Sequence, residues 1–589
     1  MKNRHLYTDG FWPSVLKNTV FLRRHALFAV VYICLLLGFS AFFRQTCRAS
    51  SAVLTEQTEH GTAATVQTAP LTADDAPQDT RLRYLTKNTD YTAFLLGSFP
   101  AYGYDAAVLE SYLSAKAYHL AAENLSETEK LFDFAVEACQ PTVLFFSVAA
   151  CDFFSGNTAQ SAFPVQNLAD GSVFRGINDV MRIGDAAVYE NQYDYRFAAK
   201  KPSAGVPSSE RVLTLHDKMR RVCEQKNIRL ITVLSPVYAP EMTEALAACY
   251  KTVRKALGNT ADFYDYSTLP LCADKRFFYN KNEFRTCLGN RILADIFAGE
   301  KSGFALTDAP KEQTLPILLY HHVTSEPGYG DSVISASRLE EHLRALTAAG
   351  YTAVSLSEAE AFVRNGTPLP EKPICITFDD GYESNAVLAL PLLEKYKIKA
   401  AFFYIGWAVG KDSYKDTGKP MFEHFDFDTA RKMQASGLAE FGSHTYDMHQ
   451  SDTLETQKNT ARFAVKPLRH ELPSAFIRAV KDDCRKFNAA FEEAFGEPVR
   501  YLSYPHGIYS PLSESILAGE GITVTLSTES GGRNVLVEGL PQSLRALYRF
   551  TVSEDMTGSD LLKLIDTVYA PCRHTIEIKT AQAQKGELS

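Results

Sequence analysis

Short, strongly apolar runs separated by amphipathic stretches fill two long regions of this chain, and that alternation limits the possible folds more than any other feature. In the first region the runs are TAFLLGS (92–98), TVLFFSV (142–148) and IRLITVLSP (228–236), with helical patterns such as residues 209–225 between them. From residue 315 onward PILLYHHV, PICITFDD, KAAFFYIG, LAEFGSH, RYLSYPHG and ITVTLST recur in the same manner. Runs this short, alternating with amphipathic segments, predict parallel strands joined by crossover helices, since a parallel sheet is covered on both faces. The fold class is α/β. The number of repeats in the second region predicts a distorted (β/α) barrel, in which functional side chains gather at the C-terminal ends of strands.

With 589 residues the chain exceeds what a single core ordinarily holds. Residues 26–43 (ALFAVVYICLLLGFSAFF) are uncharged and apolar, about one helical crossing of a bilayer, and Lys17, Arg23 and Arg24 precede them. They predict a single-pass transmembrane helix with residues 1–25 in the cytoplasm and the remainder outside the cell membrane; a cleaved signal peptide is the alternative. Residues 44–80, rich in Thr, Ala and Gln, read as a flexible linker. The folded parts are then residues 81–298 and 314–572, joined by a second linker at 299–313 and followed by a polar tail at 573–589. Residues 451–480 read as a polar insertion in the second part. A net charge of -8 offers no basic footprint for nucleic acid. Eleven cysteines without a CxxC pair form neither a disulfide framework nor a thiolate zinc site.

Chemistry concentrates at the strand ends of the second part. ICITFDDGYESN (374–385) closes an apolar strand with Asp379, Asp380 and Gly381. Adjacent strand residues face opposite ways, so both acids can serve one site only if the strand breaks there, one binding a metal and the other acting as a base. EFGSHTYDMH (440–449) supplies His444 and His449, and two imidazoles with one carboxylate make a common catalytic zinc set. RYLSYPHG (500–507) offers backbone N–H groups for an oxyanion, and ILLYHHV (317–323) ends in His321 and His322, of which at most one can enter the site.

Taken together, TFDDGY (377–382), HTYDMH (444–449) and SYPHG (503–507) resemble the NodB-type polysaccharide deacetylases of carbohydrate esterase family 4. The five-residue spacing of the histidines and the early YHHV are similar to the circularly rearranged, poly-N-acetylglucosamine deacetylase-like branch. This resemblance implies a barrel of NodB type that removes acetyl groups from an N-acetylated polysaccharide, either exopolysaccharide or peptidoglycan. It implies Asp379 as general base, His321 as general acid, and Asp380, His444 and His449 as ligands of a divalent metal, zinc first, with cobalt, nickel or manganese as alternatives. Tyr504, Pro505 and His506 would supply the oxyanion and substrate contacts. Ser503 stands where the family has an arginine that orients the base, and Arg500 is the candidate replacement. Polysaccharide export or synthase machinery is the implied partner.

Residues 81–298 resemble SGNH-type hydrolase-like domains, with a three-layer α/β fold, through FLLGSFPAYGYD (94–105), LFFSVAACDFF (144–154) and FFYNKNEFRTCLGNRIL (277–293). Phe99 falls at the nucleophile position, and Asn280 and Glu283 at the Asp and His positions, which implies a catalytically degenerate module. If the register slips by one, Ser98 becomes the nucleophile of an O-acyl esterase or transferase. A catalytically inactive glycan-binding protein is the remaining alternative for the chain.

Overall fold

The computed structural model describes residues 82–569, apart from 155–204, 299–305, 328–331, 456–460, 529–531 and a few single or paired positions. The expected membrane helix at 26–43, the linker at 44–80 and the tail at 573–589 lie outside the described residues. Among those described, no helix is long and apolar enough to cross a membrane.

The first folded part is built on five parallel strands, β1 (Tyr91–Ser98), β2 (Lys116–Ala122), β3 (Val143–Val148), β4 (Arg229–Leu234) and β5 (Phe263–Asp265), in the order β2-β1-β3-β4-β5. Alternating side chains send Phe94 and Leu96 into one core and Ala93 and Leu95 into the other, so helices cover both faces and three layers result. The helix Glu210–Lys226 answers the amphipathic pattern at 209–225.

In the second part, β6 (Glu312–Thr314) is followed by β7 (Ile317–Tyr320), β8 (Pro373–Phe378), β9 (Ala400–Tyr404), β10 (Ala439–Ser443), β11 (Tyr501–Ser503), β12 (Val524–Leu526), β13 (Val535–Val537) and β14 (Phe550–Thr551). The main sheet runs β12-β11-β10-β9-β8-β7-β14 with every pairing parallel. It curls into an incomplete barrel, and a parallel bridge from Leu526 to Leu547 joins its two edges. β6 pairs antiparallel with β13, and Val537 and Leu540 share a core with Leu95 and Phe145 of the first sheet. The two parts therefore meet through packed apolar side chains.

The expected insertion at 451–480 needs a correction. Its last residues begin the helix Pro473–Phe495, whose Phe476, Val480, Cys484, Phe487 and Phe491 are buried at helical spacing. Counting polar residues concealed a stripe that belongs to the barrel core.

Candidate active site

The exits of β8, β10 and β11 share a conformation that few side chains adopt. Asp380, Thr445 and His506 take φ values of 73°, 70° and 55°. Left-handed backbone at a non-glycine residue costs about 1–3 kcal/mol and persists only where its surroundings impose it. At Asp380 and Gly381 (φ 83°) it breaks the strand at once, so two consecutive carboxylates turn into one site. His444 Nε2 then lies 3.9 Å from Asp379 Oδ2 and 3.5 Å from Asp380 Oδ1.

Asp380, His444 and His449 meet as the metal set expected from the motifs, with their ligand atoms all within 4.8 Å of one another. His449 Nε2 is 3.7 Å from Asp380 Oδ1, which is buried and has no hydrogen-bond partner among the described residues. Ligands at about 2.1 Å from one tetrahedral zinc lie about 3.4 Å apart, close to the 3.5 and 3.7 Å that separate Asp380 from the two imidazole nitrogens. His444 Nδ1 hydrogen-bonds the carbonyl of Ser503 at 2.8 Å, which fixes the ring and leaves Nε2 facing Asp380. Burial, only partly offset by the Asp379 carboxylate, pulls His444 down to about 4, so its imidazole is neutral, the form that a metal binds.

Asp379 has a different environment. Arg549 grips it with both arms of the guanidinium, Nη1 to Oδ1 at 2.8 Å and Nη2 to Oδ2 at 2.7 Å, while Ser503 Oγ donates to Oδ2 at 2.9 Å. The remaining Arg549 donors reach Ser527 O at 2.9 Å and Thr377 Oγ1 at 3.2 Å. Burial pushes the Asp379 carboxyl up, but Arg549, then His444, outweigh it and hold the group well below the ordinary carboxylate range. Asp379 is thus an ionised, oriented acceptor beside the ligand cluster.

This overturns the expectation for Arg500. It precedes β11, so a strand length of about 10 Å separates it from the exits where the site lies. Its side chain is half exposed and bonds Glu360 at 2.7 Å. The arginine on Asp379 comes from the segment that closes the barrel, and Ser503, instead of marking a loss, completes its hydrogen bonding through Nη2 at 2.8 Å. Replacing Arg500 with alanine removes one partner of the buried Glu360 carboxylate, which Arg364 still holds, and should lower stability while leaving turnover of the folded chain within about twofold of the parent when steady-state rates are compared.

Two further corrections concern the SYPHG turn. The Tyr504 N–H already donates to Leu526 O at 2.9 Å and its hydroxyl to Glu514 at 2.9 Å, both inside the core. Pro505 has no N–H to offer. Only His506 of the three reaches the site, where its ring lies 4.6 Å from that of His449.

His321 is half-buried, with its carbonyl held by Asn385 Nδ2 at 2.8 Å and its Nδ1 without a partner among the described residues. It lies close enough to act electrostatically on both Asp379 and Asp380. His322 diverges as expected, bonding Ser384 Oγ through Nδ1 at 3.0 Å and stacking on Phe422.

A residue that sequence reasoning missed supports the ligand loop. Half-buried Asp483, on the helix Pro473–Phe495, accepts the backbone N–H groups of Tyr446 at 2.8 Å and Asp447 at 2.7 Å. These lie between the two histidines, so one carboxylate sets their spacing. Asp483→Ala should weaken zinc binding by about 10–100-fold, the usual cost of losing outer support, as read by competition with a chromogenic chelator. Unchanged affinity would remove that role.

In the first part Ser98 ends β1, fully buried, with its hydroxyl donated to Asp152. Burial, eased by that hydrogen bond, raises the Asp152 carboxyl to about 6. The described structure therefore gives Ser98 a carboxylate partner in the core in place of an accessible imidazole. Glu283 is buried, and the side chains of Phe99 and Asn280 lie outside the described residues.

Similarities to known proteins fall on the second folded part. The polysaccharide deacetylase family model matches residues 366–525. The chain is 28% identical over 263 residues to YxkH of Bacillus subtilis, an alignment covering 44% of this chain and 78% of that protein. It is 26% identical over 226 residues to the poly-beta-1,6-N-acetyl-D-glucosamine N-deacetylase of Escherichia coli K12, covering 36% of this chain and 34% of that enzyme. The chain thus spans only about a third of the latter's length. Among solved structures, IcaB from Ammonifex degensii is similar at 25% identity with a TM-score of 0.34, covering 43% of this chain and 99% of that one. The matched strands are those that carry Asp379, Asp380, His444 and His449, and residues 366–525 belong to the polysaccharide deacetylase family.

Proposed function

We propose that the chain is a divalent-metal-dependent N-deacetylase of an N-acetylglucosamine polymer, held at the outer face of the cell membrane by residues 26–43. The observation that carries this reading is the division of labour between adjacent acids. Asp380 shares a site with two imidazoles, while Asp379 is committed to Arg549 and Ser503 and keeps a free ionised character. When bound by Asp380, His444 and His449, a divalent ion supplies Lewis-acid chemistry, polarising an acetamide carbonyl and acidifying water.

The chain's own groups account for the proton movements. Asp379 takes a proton from the attacking water, whose oxygen bonds the acetamide carbon. His321 gives a proton to the nitrogen as the C–N bond breaks, so that acetate and a free amine leave. The first folded part, with Ser98 locked against Asp152, serves on this reading as a binding or scaffolding module. Acetate release from a β-linked N-acetylglucosamine oligomer by the zinc-loaded chain tests the proposal. No release above a metal-free control, with the ion fully bound, would count against it.

A further inference from the structure

The two ligand histidines are held in different ways. His444 bonds the carbonyl of Ser503 through Nδ1, but among the described residues nothing hydrogen-bonds the ring of His449. An imidazole that binds a metal almost always has such an outer partner, which sets the direction of its other nitrogen. The aim of His449 therefore falls to the loop that carries it, residues 444–449.

Five consecutive amides of that loop are committed. The N–H groups of His444 and Thr445 donate to Tyr404 O at 2.6 Å and Ser443 Oγ at 3.0 Å, those of Tyr446 and Asp447 to Asp483, and that of Met448 to Thr445 Oγ1 at 3.1 Å. Beyond the ligand, the Gln450 N–H reaches Arg462 O at 2.9 Å. The segment after β9 takes two carbonyls, Thr445 O through the Gly406 N–H at 2.9 Å and Tyr446 O through that of Trp407 at 3.1 Å. With the backbone path fixed, what remains to act on the loop is the one charged side chain between the histidines, Asp447.

Asp447 stands next to a like charge. The Asp483 carboxylate that accepts its amide feels the Asp447 carboxylate, and the two repel. Lys415 supplies the counter-charge. Its Nζ is 2.7 Å from Asp447 Oδ1 and 2.5 Å from Glu455 Oε1, and it lies 5.6 Å and 5.7 Å from the ring centres of Tyr414 and Trp407. An exposed ion pair alone contributes little, but the Lys415 side chain is only 25% exposed and meets four groups at once. Lys415 also takes a left-handed φ of 44° in the turn between Ser413–Tyr414 and Lys419–Pro420, a conformation that persists only where the surroundings impose it. Tyr414 lines the cleft beside His449 and donates its hydroxyl to the same Glu455 at 2.6 Å, whereas Lys415 does not line that cleft.

We infer that Lys415 is a positioning residue for the metal centre, holding Asp447 against the repulsion of Asp483 so that His449 stays aimed at the ion. The inference rests on the deacetylase reading only for its effect on turnover. The test titrates zinc into the full-length chain against a chromogenic chelator, and records the visible spectrum of the same chain loaded with cobalt(II). Lys415→Met should weaken zinc binding by about tenfold, the lower end for lost outer support, and change the cobalt spectrum. Lys415→Arg, whose two arms reach both acids, should restore both readouts. Asp447→Ala removes the repulsion itself, so adding Lys415→Met to it should cost less than about twofold more. Glu455→Gln leaves the pair with Asp447 in place and should bind zinc within about twofold of the parent. At saturating zinc, kcat of Lys415→Met should fall while KM holds, because Lys415 lies outside the cleft. Unchanged zinc affinity and cobalt spectrum in Lys415→Met, or an equal loss when Asp447 is already alanine, overturns the inference and leaves the deacetylase reading intact. In a parent chain that binds zinc but releases no acetate that reading fails, and the tenfold loss in Lys415→Met with its recovery in Lys415→Arg supports the inference alone.

Discussion

Replacing Arg549 with methionine should destabilise the second folded part by about 3–5 kcal/mol, because it leaves the fully buried Asp379 carboxylate without its counter-charge. The stabilising partner is not interchangeable with lysine. One ammonium cannot reproduce a fork that bonds both carboxylate oxygens, Ser503, Ser527 and Thr377 together, so Arg549→Lys should keep the charge yet lower kcat by about 10²–10³-fold as the base loses its orientation. Combining Arg549→Met with Asp379→Asn removes both charges and should recover most of the lost stability, measured by chemical denaturation, without recovering any turnover. A double variant as unstable as Arg549→Met would mean that the guanidinium acts through packing and not through the acid.

The second large effect separates two neighbouring acids. Asp380→Ala should abolish stoichiometric zinc uptake and reduce acetate release by about 10³-fold or more, exceeding the 10²–10³ typical of a lost oxyanion donor. Asp379→Asn should retain the metal, since the carboxylate of Asp379 is occupied by Arg549 and Ser503, yet lose about 10²–10⁴-fold in rate as a missing general base. Metal content by atomic absorption and acetate release, measured on the same samples, distinguish the two. If both variants lose the ion, or neither does, the assignment of ligand and base to adjacent positions fails.

The parts of this site that sequence reveals are those in which one apolar run ends directly in polar chemistry. ICITFDDG, LAEFGSH and ILLYHHV each became a strand with its functional residue at the C-terminal exit, because strand burial and strand termination are both local properties. Arg549 was hidden for the opposite reason. It precedes a strand of two residues, Phe550–Thr551, and meets Asp379 only because the barrel edges approach through Leu526 and Leu547. Nothing within its own neighbourhood distinguishes it from Arg500 or Arg545, and Arg500 was misread because its proximity in sequence to SYPHG places it at the wrong end of β11. Asp483 lies 34 residues beyond His449 within a helix whose polar positions masked its apolar stripe. Tyr504 illustrates a third limit, since a motif names the turn but does not reveal which N–H groups the neighbouring strand has already taken.

Everything proposed for activity depends on one ion shared by an acid and two imidazoles, with the adjacent acid left outside its coordination. Anomalous diffraction from crystals of the full-length chain grown with zinc measures this directly. A single peak within bonding distance of Asp380, His444 and His449, and not of Asp379, is the predicted result; a peak ligated by Asp379, or none shared by those three side chains at saturating zinc, would contradict it.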